Sequence, residues 1–529
     1  MSESLLRALL APTIDSETRK PVLGHLRFDH AEILGDAGFD RVTVRGKVSF
    51  RHTKVRGNVR FVRAEIGGSA EFNDARIEGS AFFGHTKIGS VLSGMPGSVN
   101  RRSVSFNGAE IRSVVGFAHA EISGDVVFVR AKIGGELQFN GAEIGGNVLF
   151  RYTAIGWGAT FRGAVFRSAT EVGTLVCKDA VDLSEATFES GVTIEASARA
   201  VICRRTRWAS TATLRLRFAK VDLSNAFMEY PVSVSAHPRP FARGGGEMAE
   251  PEVPGPLVRV TSLRGVDAAH LVLADVDLSR CRFAGAIHLD QLRMEGRCPF
   301  AAVPSGIHRR GLWPVRWTPR RILAEEQHWR THTTSAAGWT PSQSGEPPEP
   351  AALAPIYRQL RKAFEDSKDE PGAADFYYGE MEMRRLNRDT PRAERALLAA
   401  YWAASGYGLR ASRAMGLLLV SMTTTVLVMM LWGLPKDDPK PESTGTLNGP
   451  RITITTDTPD PVNPDGPLLK RLSTDRFEKS LQVVINSVVF RSSGQDLTTG
   501  GTYIEMGSRL AEPALLGLAV LAVWGRLKR

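Results

Sequence analysis

Phenylalanine recurs at every eleventh position, at Phe28, Phe39, Phe50, Phe61, Phe72 and Phe83, and then, after one inserted residue, at Phe106, Phe117, Phe128, Phe139, Phe150 and Phe161. A fixed period constrains a chain more tightly than any composition. A unit this short cannot bury a face alone, so it has to stack on its copies. Within each unit an apolar-x-Phe triplet is followed by Ala/Thr-x-Ile, as in Ala70-x-Phe72 with Ala75-x-Ile77 or Val126-x-Phe128 with Ala131-x-Ile133. The inward candidates therefore alternate five and six residues apart. A helix needs apolar residues at 3.6-residue spacing and a flat strand at 2, so neither fits. A coil with flat sides does.

Each side contributes one large residue to a central column and a small one two positions earlier. The core is expected to hold Phe50, Phe61, Phe72, Phe106, Phe117, Phe128, Phe139 and Phe150 with Ile66, Ile77, Ile111, Ile122, Ile133 and Ile144. The small-x-large order of Ala64-x-Ile66, Ala109-x-Ile111, Ala120-x-Ile122 and Ala142-x-Ile144 resembles the pentapeptide-repeat family. That resemblance implies a mainly β fold, a right-handed quadrilateral β-helix. The departure is a sixth residue on alternate sides, which makes the coil 22 residues long where the family pattern implies 20. The extra residue follows each Ile and is often glycine (Gly67-Gly68, Gly134-Gly135, Gly145-Gly146), which reads as a corner with positive φ.

A looser form of the beat, in Leu183-x-x-Ala186-x-Phe188 and Leu278-x-x-Cys281-x-Phe283, extends the solenoid over 28–296, behind an N-terminal cap at 1–27. Ser90–Ser103 and the proline-rich Ala236–Gly255 read as loops thrown out of the stack. Residues 297–352 have a linker composition, and 353–413 carry helical periodicity in a hairpin and stalk. Residues 414–434 hold an uncharged apolar run from Met415 to Leu434, long enough to cross a bilayer core. A second run covers 510–525 and is closed by the basic tail 526–529.

Arg384, Arg385, Arg388, Arg392, Arg395, Arg410 and Arg413 precede the first run against only Asp389 and Glu394. The positive-inside rule puts that side in the cytosol, and the basic tail asks for the same side. The expected topology is a multi-pass protein of the cell membrane with two spans, both termini cytosolic, and 435–509 outside. Four scattered cysteines agree with a reducing compartment. The net charge of +11 is read as attraction to anionic lipid ahead of nucleic acid. Acidic, DNA-mimicking rods of the resembled family differ from this one, which carries Arg45, Lys47, Arg51, Lys54, Arg56, Arg60 and Arg63 in one short stretch.

Between the spans, a moderately apolar segment from Phe477 to Phe490 leads into a polar stretch ending at Leu497. Span, re-entrant segment 477–497, polar loop and span resemble the pore module of two-helix potassium channels. The approach, Tyr357–Asp366, Asp375–Arg385 and Ser405-Gly406-Tyr407-Gly408, resembles bacterial, particularly actinobacterial, membrane-associated pentapeptide-repeat proteins that carry such a module. The pore-like residues are Arg491, Ser492, Ser493, Gly494, Gln495 and Asp496. Aligned on Asp496-Leu497, Gln495 and Ser493 replace the two filter glycines and Arg491 replaces the threonine. The filter is degenerate, and a ring of arginines repels cations.

His328 and His332 stand four apart beside Glu325-Glu326, but the glutamate of a His-Glu-x-x-His zinc motif is missing, and two exposed linker histidines are expected. The sequence shows no dinucleotide fingerprint, phosphate loop or nucleophile elbow, so neither an enzyme nor a cofactor is expected. The expectation is a membrane-tethered solenoid that docks a cytosolic protein, with a homo-oligomer anticipated. The alternative is a stimulus-gated channel of altered, non-potassium selectivity.

Overall fold

The computed structural model describes residues 2–16, 19–89, 103–243, 246–247, 258–310, 313–333, 338–339, 346–436, 440–448, 451–457, 459–462, 467–489 and 497–527. The chain divides into two compact units, residues 1–379 and 380–529. In the first unit a parallel β-solenoid of about 11 turns has four walls. Ten strands from Val22–Leu23 to Phe227–Met228 form wall 1, and six from Leu26–Arg27 to Val148–Leu149 form wall 2. Wall 3 has twelve strands, from Glu32–Ile33 to Arg293–Glu295, and wall 4 has ten, from Ala37–Gly38 to Val258–Ser262.

The eleven-residue beat becomes geometry directly. Walls 2 and 4 each carry a phenylalanine column, and walls 1 and 3 carry the isoleucines. Along wall 2, Phe50 stacks on Phe72 at 5.0 Å, Phe72 on Phe106 at 4.8 Å and Phe106 on Phe128 at 4.8 Å. Between the columns the rings meet edge to face, as in Phe50–Phe61 at 6.1 Å and Phe117–Phe128 at 6.4 Å. Both geometries suit the ring quadrupole and add about 0.5–1.5 kcal/mol per pair beyond burial. All fourteen anticipated core positions are at most 2 % exposed. Where the small inward residue is threonine, its hydroxyl donates to the phenylalanine carbonyl of the previous coil, as from Thr53 to Phe28 at 2.7 Å.

The coil does not keep one length. Ile155 pairs with Cys177 and Phe166 with Phe188, both 22 residues on, whereas Val192 pairs with Ala212, Phe188 with Trp208 and Val201 with Val221, all 20 on. The change falls at a register shift between Val172 and Leu175. From there the wall 3 strands lengthen from two or three residues to Glu171–Cys177, Val192–Ser197 and Ala212–Arg217. Pairings across the two expected loops stay in phase, Ala70 with Val104 and Val232 with Leu271. Residues 90–102, 244–245 and 248–257 lie outside the described ones.

The corners correct the sequence reading. Gly68, Gly134, Gly135, Gly145 and Gly146 do not have positive φ; that conformation falls two residues after each phenylalanine and is taken mostly by side-chain-bearing residues, including His30, Arg41, His52, Arg63 and Asp74. Glycine after isoleucine is needed because successive corners nearly touch: a Cβ on Gly134 would stand 2.3 Å from the Arg112 carbonyl oxygen.

Two boundaries also differ. The strands at Val22–Leu23 and Leu26–Arg27 already pair with Thr43–Val44 and Val48–Ser49, so the stack begins inside the segment read as a cap. Residues 297–352 are more than a linker. Within them Ala301–Ala302 pairs with Arg321–Ile322, and the helix Ala324–Thr333 (here α2, after α1 at Glu3–Leu10) closes the stack. The last coil leaves backbone donors without a following coil. Glu325 takes two of them, accepting from Phe283 N–H and, at 3.1 Å, from Ala284 N–H. Beside it, Glu326 is bound by Arg320 at 2.5 Å, by Arg330 at 2.7 Å and by the Tyr357 hydroxyl. His328, expected to be exposed, is 2 % exposed. The helices α3 (Pro350–Asp366) and α4 (Glu370–Leu386) follow, and Phe300 packs on Phe364 at 5.7 Å and Phe376 at 5.0 Å.

Burial pushes Glu325 up to about 7, against the pull of its backbone donors. Burial also opposes ionisation of Glu326, but the two guanidiniums overcome it and hold that carboxyl down at about 2. A carboxyl whose folded pKa exceeds its unfolded value contributes stability below the unfolded value and loses it as pH rises through the folded one. Thermal unfolding of the wild type is expected to shift down between pH 5 and pH 8. The Glu325→Gln variant should lack that slope, a difference of up to about 3 kcal/mol.

Candidate functional site

A solenoid presents its outward residues as columns. On wall 3 the column reads Glu32, Lys54, Arg76, Glu110, Lys132, Ala154 and Val176, because each strand pairs in register with the next. Glu110 lies between Arg76 at 3.9 Å and Lys132 at 2.9 Å. Lys54 lies 3.6 Å from Glu32, which also takes Arg56 at 2.9 Å. Farther along the charges stop: Phe241 covers Val176, both are buried, and Ala154 beside them is half-buried. A cleft of about 760 Å³ runs over this stretch, from Lys54 and Arg76 through the bare corners at Gly134 and Gly156 to Val176 and Lys178. Its lining is charged at one end and small and uncharged at Gly134, Ala154 and Gly156.

The same ladders change the reading of the basic stretch near residue 50. Arg51 and Lys47 both reach Glu71, and Arg60 reaches Asp40 at 2.8 Å. The partners are one coil away, 20 to 24 residues in sequence, so a local count of charges misses them. Among the described residues no group of three or more His, Cys, Asp or Glu could hold a metal ion. Burial pushes the Cys177 thiol up to about 12 and raises those of Cys203 and Cys281 as well, which suits packing better than nucleophilic chemistry.

Residues 28–76 and 39–87 match the family model described as pentapeptide repeats (9 copies). Residues 28–87 carry pentapeptide repeats. No curated protein and no solved structure matches the chain. Pentapeptide-repeat solenoids are typically structural or interaction-mediating.

In the second unit, downstream of the pentapeptide repeats, α5 (Arg392–Ser405) is followed by α6 (Ala411–Val428), whose end widens into a π turn at Met429–Gly433. Then come α7 (Thr474–Val489) and α8 (Thr499–Leu527). Ala411–Gly433 and Thr499–Val523 are long and apolar enough to cross a membrane. The second candidate starts well before Leu510, so its first turns carry Glu505 and Arg509, paired at 2.7 Å.

The seven arginines ahead of the apolar run are not equivalent. Arg384 is paired with Glu394 at 2.6 Å. Arg385 is paired with Glu382 at 2.8 Å and donates to the Tyr407 hydroxyl at 3.0 Å. The guanidiniums of Arg385 and Arg413 lie 5.0 and 5.3 Å from the Trp402 ring. Arg395 and Arg410 are half-buried, which leaves Arg388 and Arg392 exposed.

The segment between the spans contains the amphipathic α7, whose Val483 packs with Met429 and Leu434 and whose Val484 packs with Val426 and Met430. The pore-like residues Arg491–Asp496 lie outside the described residues. Sequence reasoning missed Arg476, which donates to the Met430 carbonyl at 2.8 Å, to Leu434 at 2.9 Å and to Pro435 at 2.9 Å. These are the orphan carbonyls of the first span, and a cation is favoured there. The two candidate spans meet at bare backbone: a Cβ on Gly501 would stand 2.3 Å from the Gly433 carbonyl oxygen. Gly501→Ala is expected to lower the thermal stability of the purified full-length protein in detergent by about 1–3 kcal/mol.

Proposed function

We propose that this chain is a non-enzymatic, membrane-tethered docking protein: the pentapeptide-repeat solenoid holds a protein partner at the cytosolic face, and the two spans anchor it. The observation that carries the reading is the wall 3 cleft, which passes from charges paired between coils to the bare glycine corners and Ala154. A protein surface of mixed polarity fits it. A nucleic acid backbone asks for unpaired cations, and many of this solenoid's cations are paired between coils.

Orientation follows the arginines ahead of α6 and the basic tail, which favour both termini inside. With this topology a membrane-impermeant maleimide added to intact cells labels Ser443→Cys and spares Leu5→Cys. A photo-crosslinker at Lys132 is expected to trap a partner at the membrane, and the charge-reversed Arg112→Glu variant is expected to lose it. Equal trapping in both would move the docking surface off wall 3.

A gated channel of altered selectivity is the second reading, favoured by one observation: α7 is packed against both α6 and α8, an inserted helix between two spans. Full-length protein in liposomes is expected to give no ion flux, either as the wild type or as Arg491→Thr. Flux that changes with that substitution would favour the channel and the homo-oligomer it needs.

A further inference from the structure

Close to the midpoint of the second candidate span, Glu512 is 0 % exposed. Its Oε1 is 2.8 Å from the Thr425 hydroxyl oxygen, and its Oε2 is buried with no hydrogen-bond partner among the described residues. The same Thr425 oxygen lies 3.0 Å from the Ser421 carbonyl oxygen, an acceptor one helical turn back. A threonine hydroxyl has one hydrogen to donate and cannot serve both.

Its neighbours indicate which bond it makes. Thr423 donates to the Leu419 carbonyl at 2.7 Å and Thr424 to the Val420 carbonyl at 2.8 Å, the back-bond that threonine adopts inside helices. With Thr425 doing the same, its oxygen is left to accept, and the hydrogen in the 2.8 Å contact has to come from Glu512. We propose that Glu512 is a proton-binding site within the membrane, a neutral carboxylic acid that donates to Thr425 and clasps α6 to α8. The ligand is a proton, and loss of it would leave a carboxylate at mid-span with one oxygen unpartnered, a costly arrangement.

The charged groups of the surrounding elements are engaged or lie elsewhere. On α8 Arg509 is paired with Glu505. From Ala414 to Pro435, α6 and its π turn carry no charge. The charges of α7, at Asp475, Arg476, Glu478 and Lys479, fall in its first turns, where Arg476 holds the carbonyls that end the first span. Those of α5 are Arg392, Glu394 and Arg395 in its first turn, and Glu394 holds Arg384.

The test is infrared spectroscopy of the full-length protein in phosphatidylethanolamine–phosphatidylglycerol vesicles at pH 7. Wild type minus Glu512→Gln is expected to contain the C=O stretch of a protonated carboxyl, because the amide keeps a donor toward Thr425 and the helices stay together. In Thr425→Val, which needs no change at Glu512 itself, that band persists and moves to higher frequency as its hydrogen bond is lost. A difference spectrum that shows carboxylate bands instead would overturn the proposal. So would loss of the band when sodium replaces choline, since the ligand would then be a metal cation.

Discussion

The repeating contact between a residue and its counterpart one coil away is what the rest of this protein depends on. Phe106 illustrates it: its ring lies 4.8 Å from Phe72 on one side and 4.8 Å from Phe128 on the other, while its N–H donates to the Val127 carbonyl at 2.7 Å. Side chain and backbone obey one register. Strands of two residues would be negligible alone, and they persist because each is held from both sides and has its inner face in a column of rings. The outer surface inherits that order, so the charge ladders and the wall 3 cleft exist only because the inner columns keep count.

Much of this was legible in the sequence, and the failures have a common cause. The phenylalanine beat pointed to the columns, and the small-x-large pattern pointed to the walls, because both are encoded within one repeat. What lies between coils was not legible. Arg51 and Glu71 are partners only after a full turn has been made, and Gly134 is glycine because Arg112 passes beneath it, not because of its own torsion. The closure of the stack was hidden for the same reason, since Glu325 reads as a polar residue in a Trp- and Pro-rich stretch until Phe283 and Ala284 present their amides.

The second unit follows different rules. Hydropathy located the two candidate spans, but the contacts that organise them rest on single residues: Arg476 on the spent carbonyls of the first span, Gly501 against Gly433, Glu512 on Thr425. No period announces such contacts. The arginines ahead of α6 were visible as a cluster, although the carboxylates of Glu382 and Glu394 occupy two of them, a detail that belongs to the folded helices.

The passage from 22-residue to 20-residue coils at Val172–Leu175 bears on how such a chain can change over time. Gain or loss of a whole turn leaves every neighbour facing an equivalent neighbour, but the length exchanged has to match its surroundings. Copies taken from one side of the passage and spliced into the other would put each ring two places out of step. The two stretches can therefore lengthen or shorten independently, each in its own currency of residues, while the junction between them stays a unique site that duplication cannot reproduce.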